Sequence, residues 1–248
     1  MKPNIILVPE ELLENINSLH PSDIAKSLKK IKKDNKESFF DILRELPDEV
    51  LGDVLLELPE KIRDEAYKAL STEQLVEALE ELETDDATDI IQDIADFDEQ
   101  KANDILAQLE EEDQQEINWL KRYEEDEAGA FMQTELFSAN IDEVIGDAIN
   151  RLKILKASKE LENIHQVFII DNEKTLLFSI SLEDLIIFDF TKSFSDIVNQ
   201  DDNLFKPQAV MADDDIDDVV KQFEQYNLSV VAVIGYQNRL IGRITSDD

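Results

Sequence analysis

The chain has 248 residues, of which 59 are acidic and 24 basic, giving a formal net charge of -35 at pH 7; at 42% hydrophobic residues it is too apolar for a disordered acidic tail and long enough for one large or two ordinary domains. That charge works against nucleic acid as a partner, because phosphate binding requires clustered Lys and Arg, and an anionic membrane surface would repel this chain, so cations are the natural counter-partner. The absence of cysteine rules out disulfides and thiolate metal sites and fits a reducing compartment, while the first twenty residues lack a signal peptide's basic start and apolar stretch, and no apolar run nears the roughly 20 residues that span a bilayer.

The first half reads as helix throughout. Leu46, Leu58, Leu70, Leu82, Ile94 and Leu106 recur every twelve residues, and four positions earlier so do Ile42, Val54, Ala66, Ala78, Ile90 and Ala102. Breaking or capping residues follow each apolar group (Pro47, Pro59, Ser71, Thr84, Asp96), so each unit is a helix of about two turns plus a tight turn. Helices that short do not stand alone. Stacked in sequence they bury a shared seam, which predicts a helical superhelix from about residue 10 to 120. Asp53 and Asp89 lie three periods apart and share a repeat position, and Asp85 lies one helical turn before Asp89. The helix dipole accounts for acids at the start of "TDDATD" (residues 84–89), but less well for Asp89, past the first turn.

The sharpest change of character comes at "KRYEEDEAGAFM" (residues 121–132), where four carboxylates run into small and apolar residues. Beyond it, "FIIDNEKTLLFSISLED" (residues 168–184) and "AVIGYQNRLIGRITSDD" (residues 232–248) align without a gap at an offset of 64. Each predicts a strand, a four-residue turn, a second strand and a Ser or Thr opening a helix. Upstream, "IDEVIGDAINRL" (residues 141–152) and "IDDVVKQFEQY" (residues 216–226) are matching amphipathic helices, with about eleven extra residues in the first copy. The second copy stops where its closing helix is expected, which reads as a fragment. Catalysis finds little support: His20 precedes a proline, His165 opens an apolar strand, and no phosphate loop, nucleophile elbow or zinc-protease motif occurs, so a non-enzyme is expected.

The order "HPSDIA" (residues 20–25), twelve-residue helical repeats, "YEEDEAGAFM" and two units ending in "SLEDL" and "RLIGRITSDD" resembles the cytosolic region of MgtE-type magnesium transporters over nearly the whole chain. The resemblance implies an α+β multidomain fold: an all-α superhelical N domain (residues 1–123), a hinge (residues 124–134) and a tandem CBS pair (residues 135–193 and 194–248). Family members carry a very similar Tyr-acidic-Ala-Gly-Gly-Leu-Met stretch, so Glu127, Ala128, Gly129 and Ala130 fall at the hinge. Ala130 stands for the second Gly and Phe131 for the Leu, and a positive φ at residue 130 would cost Ala something Gly avoids.

By the same resemblance Asp53, Asp85 and Asp89 fall where the N domain offers carboxylates to regulatory Mg2+, and Asp215, Asp217 and Asp248 match acidic positions on the CBS side, with Asn227 where the family usually has Asp. Oxygen-only ligands suit Mg2+. Two carboxylates about 4 Å apart repel by roughly 4 kcal/mol at an effective dielectric of 20. Facing acidic domains therefore separate unless a divalent ion screens them, and the implied function is Mg2+ sensing at the cytoplasmic face of the cell membrane: ions close the N and CBS domains on each other and shut a transmembrane pore that this chain lacks. The resemblance also implies a homodimer through the CBS pair. Two alternatives stand beside it. One is an adenine-nucleotide-sensing CBS module, for which Asp184 matches a ribose-contacting position, although Glu183 replaces an expected basic residue and "NIHQVF" (residues 163–168) lacks a stacking aromatic. The other is an acidic scaffold binding a basic protein.

Overall fold

The computed structural model describes residues 7–161, 163–198 and 205–246, and its contacts divide the chain into two compact units, Met1–Asn118 and Trp119–Asp248. Among the described residues no helix is long and apolar enough to cross a membrane.

The first unit is helical: α1 (Pro9–Asn15), α2 (Pro21–Asp34), α3 (Lys36–Glu45), α4 (Asp48–Leu56), α5 (Glu60–Ala69), α6 (Thr72–Glu80), α7 (Thr84–Phe97), α8 (Glu99–Leu106) and α9 (Glu111–Leu120), whose last turn crosses into the second unit. From α4 to α7 the helix starts fall twelve residues apart, whereas α7, at 14 residues, overruns its period and α8 starts fifteen residues after it. Prolines stop and start α4 and α5: Pro47 and Pro59 sit at their N-caps in extended conformation, where a missing N–H costs nothing. Ser71 opens α6 with a reciprocal capping box to Gln74. The two later caps fall one or two residues from the expected positions, with Glu83 before α7 and Asp98 before α8, because Thr84 already lies in the helix and Asp98, not Asp96, accepts from the Lys101 N–H.

Successive helices alternate between two layers. One contains α2, α4, α6 and α8, each packed on the next, and the other α3, α5 and α7. The residues four before each period mark, Ile42, Val54, Ala66, Ala78, Ile90 and Ala102, are all buried in a single core, together with Leu46, Leu58, Leu70 and Ile94. Leu82 and Leu106 pack at its edge. At about 25 cal/mol per Å2 of apolar area, a shared seam of this kind is what holds helices too short to fold alone.

The second unit holds two copies of one motif. The first consists of β1 (Ser138–Asn140), α10 (Ile145–Ala157), β2 (Gln166–Ile170), β3 (Leu176–Ser181), α11 (Leu182–Leu185) and α12 (Phe194–Val198). The second has β4 (Ala209–Met211), α13 (Ile216–Tyr226), β5 (Val230–Ile234) and β6 (Leu240–Thr245). Each makes a three-stranded sheet whose middle strand pairs parallel with the short first strand and antiparallel with the third. The hairpins match at the expected offset of 64 residue for residue, down to the positive φ shared by Lys174 and Asn238 in their turns.

The helices differ from expectation. Helix α10 begins at Ile145, because the Ile141 N–H is bonded to the Ile170 carbonyl and residues 141–144 form a turn. Helix starts are thus offset by 71 against 64 for the hairpins, so the first copy holds seven additional residues from helix start to strand, two in the helix and five after it, not about eleven. Phe194, Ile197, Val198 and Phe205 pack into the core of the first copy although they follow its expected end at residue 193. The two sheets meet across Phe168, Val230, Ala232 and Leu240, and the Leu240 N–H donates to the Lys174 carbonyl.

Candidate functional site

Helix α7 carries the candidate carboxylates of the first unit. Asp85 is in its first turn, with only 7% of its surface exposed. Asp89 follows one turn later and Asp93 one turn after that, so the three lie on one face. Helix α5 packs against α7 and brings Arg63 and Tyr67 to this row. Arg63 Nε lies 2.9 Å from Asp93 Oδ2, and the Tyr67 hydroxyl donates to the same oxygen at 3.4 Å. Asp89 reaches solvent, yet the protein crowded around its carboxyl raises its pKa; the Asp93 carboxylate adds to the rise and Arg63 opposes it. Burial likewise raises Asp93, against the pull of Arg63 and the Tyr67 hydrogen bond. Burial raises the Tyr67 phenol, keeping it a neutral donor. Lys101 fixes the end of α5 by donating to the Tyr67 and Leu70 carbonyls at 2.6 and 2.8 Å.

Asp53 is exposed on α4, in the same repeat phase as Asp89, and α4 also packs on α7. The pairing of Asp85 and Asp89 on one helix face is as expected. Arg63, Tyr67 and Asp93 are additions. The signal for Asp93 was present, since it continues the four-residue spacing of Asp85 and Asp89.

In the second unit Asp215 is the N-cap of α13, its carboxylate accepting from the Asp217 N–H at 2.9 Å, and Asp217 is exposed in the first turn. Asp214 holds the preceding turn by accepting from the Met211 N–H at 2.8 Å. The stretch expected at the hinge lies against this turn. Glu127 bridges Asp215, the Ile216 N–H donates to the Asp126 carbonyl, and Ala128 and Gly129 donate to the carbonyls of Asp214 and Ala212, both at 2.8 Å. Glu127 is thereby brought beside Asp215, 88 positions away, and burial, Glu127 and Asp213 together raise the Tyr123 phenol. Residues 128–131 form a 3-10 turn closed by the Ala130 N–H on the Glu127 carbonyl, and Ala130 is not among the positive-φ residues, so the backbone cost expected there does not arise. Gly129 is needed for space: a Cβ there would lie 2.5 Å from the Tyr123 ring.

Asn227 takes a left-handed conformation (φ 51°, ψ 50°) that ends α13, and Asn163, 64 positions earlier, shares it at φ 48°. Asn tolerates that region, which gives residue 227 a backbone role of its own. Asp184 is exposed, and its carboxylate accepts from the Ser181 hydroxyl at 2.8 Å at the start of α11. Asp248 lies outside the described residues. His20 caps α2, accepting the Ser22 N–H on Nδ1 at 3.3 Å. Among the described residues no three acidic or histidine side chains converge as a metal cage.

Two families match the sequence: the MgtE intracellular N domain over residues 19–126, and the CBS domain over residues 197–248. Similar curated proteins include the magnesium transporters MgtE of Enterococcus faecalis, 34% identical over 133 residues, and of Thermus thermophilus, 30% identical over 133 residues. In each the match covers 54% of this chain and 28% of the transporter, so the chain aligns with little more than a quarter of the length of these relatives. The crystal structure of the cytosolic domain of the Mg2+ channel MgtE in complex with ATP superposes with a TM-score of 0.84 at 27% identity, covering 97% of this chain and 93% of that one. The soluble part of a magnesium transporter shares the fold, with a TM-score of 0.77 at 24% identity over 96% of this chain and 93% of that one.

Proposed function

Since the chain is an MgtE-type cytosolic region, an MgtE intracellular N domain followed by a CBS pair, we propose that it is the Mg2+-sensing regulatory part of a magnesium transporter. In this proposal it works at the cytoplasmic face of a membrane, attached to a pore supplied by the rest of the protein. Mg2+ held by Asp85 and Asp89, with Asp53, on the helical unit and by Asp215 and Asp217 on the CBS unit draws the two together and closes the pore; without the ion their carboxylates repel and the pore opens.

The observation that carries this is the crowded carboxylate row of α7, in which Asp89 is raised by burial and by its neighbour Asp93. A divalent ion relieves that repulsion. The donor set fits Mg2+: carboxylate oxygens with no thiolate, and no closed cage among the described residues, which suits an ion that keeps most of its waters and touches one or two carboxylates. The ion supplies charge neutralisation there.

The chain also works as a homodimer through its CBS pair. Supporting this, Ile186 and Ile187 on the first copy are 70% and 77% exposed, near the exposed Phe190. A second reading, adenine-nucleotide binding at the CBS pair, is favoured by the ATP in the similar channel structure and by the oriented carboxylate of Asp184.

Titration calorimetry with Mg2+, Ca2+ and ATP tests these readings together. Saturable Mg2+ binding lost in Asp85→Asn/Asp89→Asn supports the sensor. Heat from ATP alone turns the function to the nucleotide, and no specific heat from any of the three leaves a scaffold.

A further inference from the structure

Six of the 24 basic residues of this acidic chain lie within residues 26–36. Four of them, Lys26, Lys29, Lys30 and Lys33, share one exposed face of α2, within an arc of about 100° at 3.6 residues per turn. The opposite face buries Ile24, Leu28 and Ile31. Lys32 and Lys36 turn aside to Glu65, at 2.9 and 2.6 Å, and Lys26 pairs with Asp23 at 3.3 Å. Lys29, Lys30 and Lys33 make no ion pair with any described residue. The helix dipole accounts for Lys33, in the last turn, but not for Lys29 or Lys30. Lysines spaced three and four apart repel one another. A chain with 59 acids leaves this repulsion unrelieved on a surface helix, and an anionic partner relieves it.

We propose that the lysine face of α2 docks on an anionic phospholipid bilayer. This rests on the reading that the whole protein carries a membrane pore, which puts such a surface within reach. The chemistry favours a bilayer over a folded acidic protein or a phosphorylated peptide: the face is four flexible point charges with no Arg on α2 to grip a single phosphate in two-pronged fashion. Juxtamembrane lysines of this kind are attracted by the diffuse potential of anionic lipids. The net charge of -35 does not cancel this attraction. At physiological salt the screening length is about 8 Å, shorter than the roughly 10 Å diameter of a helix, so acids behind α2 are largely screened from a surface that its lysines touch. Asp23 and Asp34 both lie beyond the Lys30 side of the face, at about 60° and 80° around the helix from Lys26, and bound it there. The docked chain turns the lysine face of α2 toward the lipid.

The test is flotation of this 248-residue chain with vesicles of phosphatidylcholine containing phosphatidylglycerol, against phosphatidylcholine alone, in EDTA so that no divalent ion bridges acids to lipid. The parent is expected to float with the anionic vesicles and to be released by high NaCl. Lys29→Gln/Lys30→Gln/Lys33→Gln is expected to lower its partition about tenfold or more. A control with the same charge change, Lys61→Gln/Lys153→Gln/Lys156→Gln, is expected to float as the parent does. Circular dichroism verifies that both variants are folded. Failure of the parent to float, equal loss in both variants, or lysine-dependent self-association without flotation overturns the proposal, the last in favour of a protein partner. Calorimetric Mg2+ binding by the parent and by the Lys29/Lys30/Lys33 variant is read separately: its absence in the parent removes the sensor reading, whereas flotation in EDTA does not depend on it.

Discussion

Replacing Gly129 by alanine puts a methyl group where the structure has no room for one. The added Cβ would lie 2.5 Å from Tyr123 Cγ and Cδ1 and 2.7 Å from Cδ2, against an ordinary carbon contact of about 3.5–4.0 Å. These atoms are at the root of the ring, so no small swing of a side-chain tip relieves the overlap. The backbone is also held, because the N–H groups of Ala128 and Gly129 donate to the carbonyls of Asp214 and Ala212. Tyr123 must move by about 1 Å, away from an edge-to-face contact with Trp119 at a centroid distance of 6.1 Å. Overpacking of this kind costs about 1–3 kcal/mol, or roughly 4–12 °C of melting temperature in a unit of this size. The assay is a melt followed by fluorescence of Trp119, the single tryptophan of the chain, which sits in the disturbed contact. The same substitution in a Tyr123→Ala background should be nearly neutral. An unchanged melt, or an equal cost with and without the Tyr123 ring, would refute the view that residues 124–132 are packed as part of the second unit.

Arg63→Gln removes the countercharge of a pair whose side chains are only 22% and 31% exposed, so urea unfolding should show a loss of about 1–3 kcal/mol, between the values for exposed and buried pairs. Asp89→Asn should stabilise the first unit at neutral pH: a carboxyl raised in the folded state favours folding when protonated, so its ionised form opposes folding above the folded pKa, and urea midpoints of parent and variant should converge as pH falls toward the ordinary value of 3.8. Ile187→Glu, at a position 77% exposed, should leave the melting temperature nearly unchanged and convert a dimer to monomer by light scattering; a dimer that persists moves the interface elsewhere.

The helical unit was legible because each helix from α3 to α8 carries one mark of the period, so the same core positions, Ile42 through Ala102, return at a spacing any reader can count. The hairpins were legible for a similar reason, as duplicated segments at a constant offset. Strands β1 and β4 were not: "SAN" and "AVM" are three residues long, too short for alternation to show, and they exist only because β2 and β5 offer a parallel edge. The start of α10 was misplaced because Ile141 continues the apolar pattern while its N–H is committed to Ile170. At the candidate site, the Asp85–Asp89 pairing came from helical phase alone. The partnership of Asp93 with Arg63 and Tyr67 did not, because it depends on α5 lying beside α7 and Asp93 is one among 59 acids. The docking of Glu127 beside Asp215 joins residues 88 positions apart, which no local pattern records.

The central claim is that named carboxylates, rather than general screening of the net charge, couple Mg2+ to the compactness of this region. X-ray scattering across a Mg2+ titration measures it directly, with NaCl at matched ionic strength as reference. The parent should contract with Mg2+ well beyond the effect of NaCl. Asp85→Asn/Asp89→Asn should already be more compact without metal and should contract little further, while Glu111→Gln/Glu112→Gln, an equal charge change on the exposed first turn of α9, should respond as the parent does. Equal contraction of parent and both variants would contradict the account, because the α7 aspartates would then not be where the ion acts.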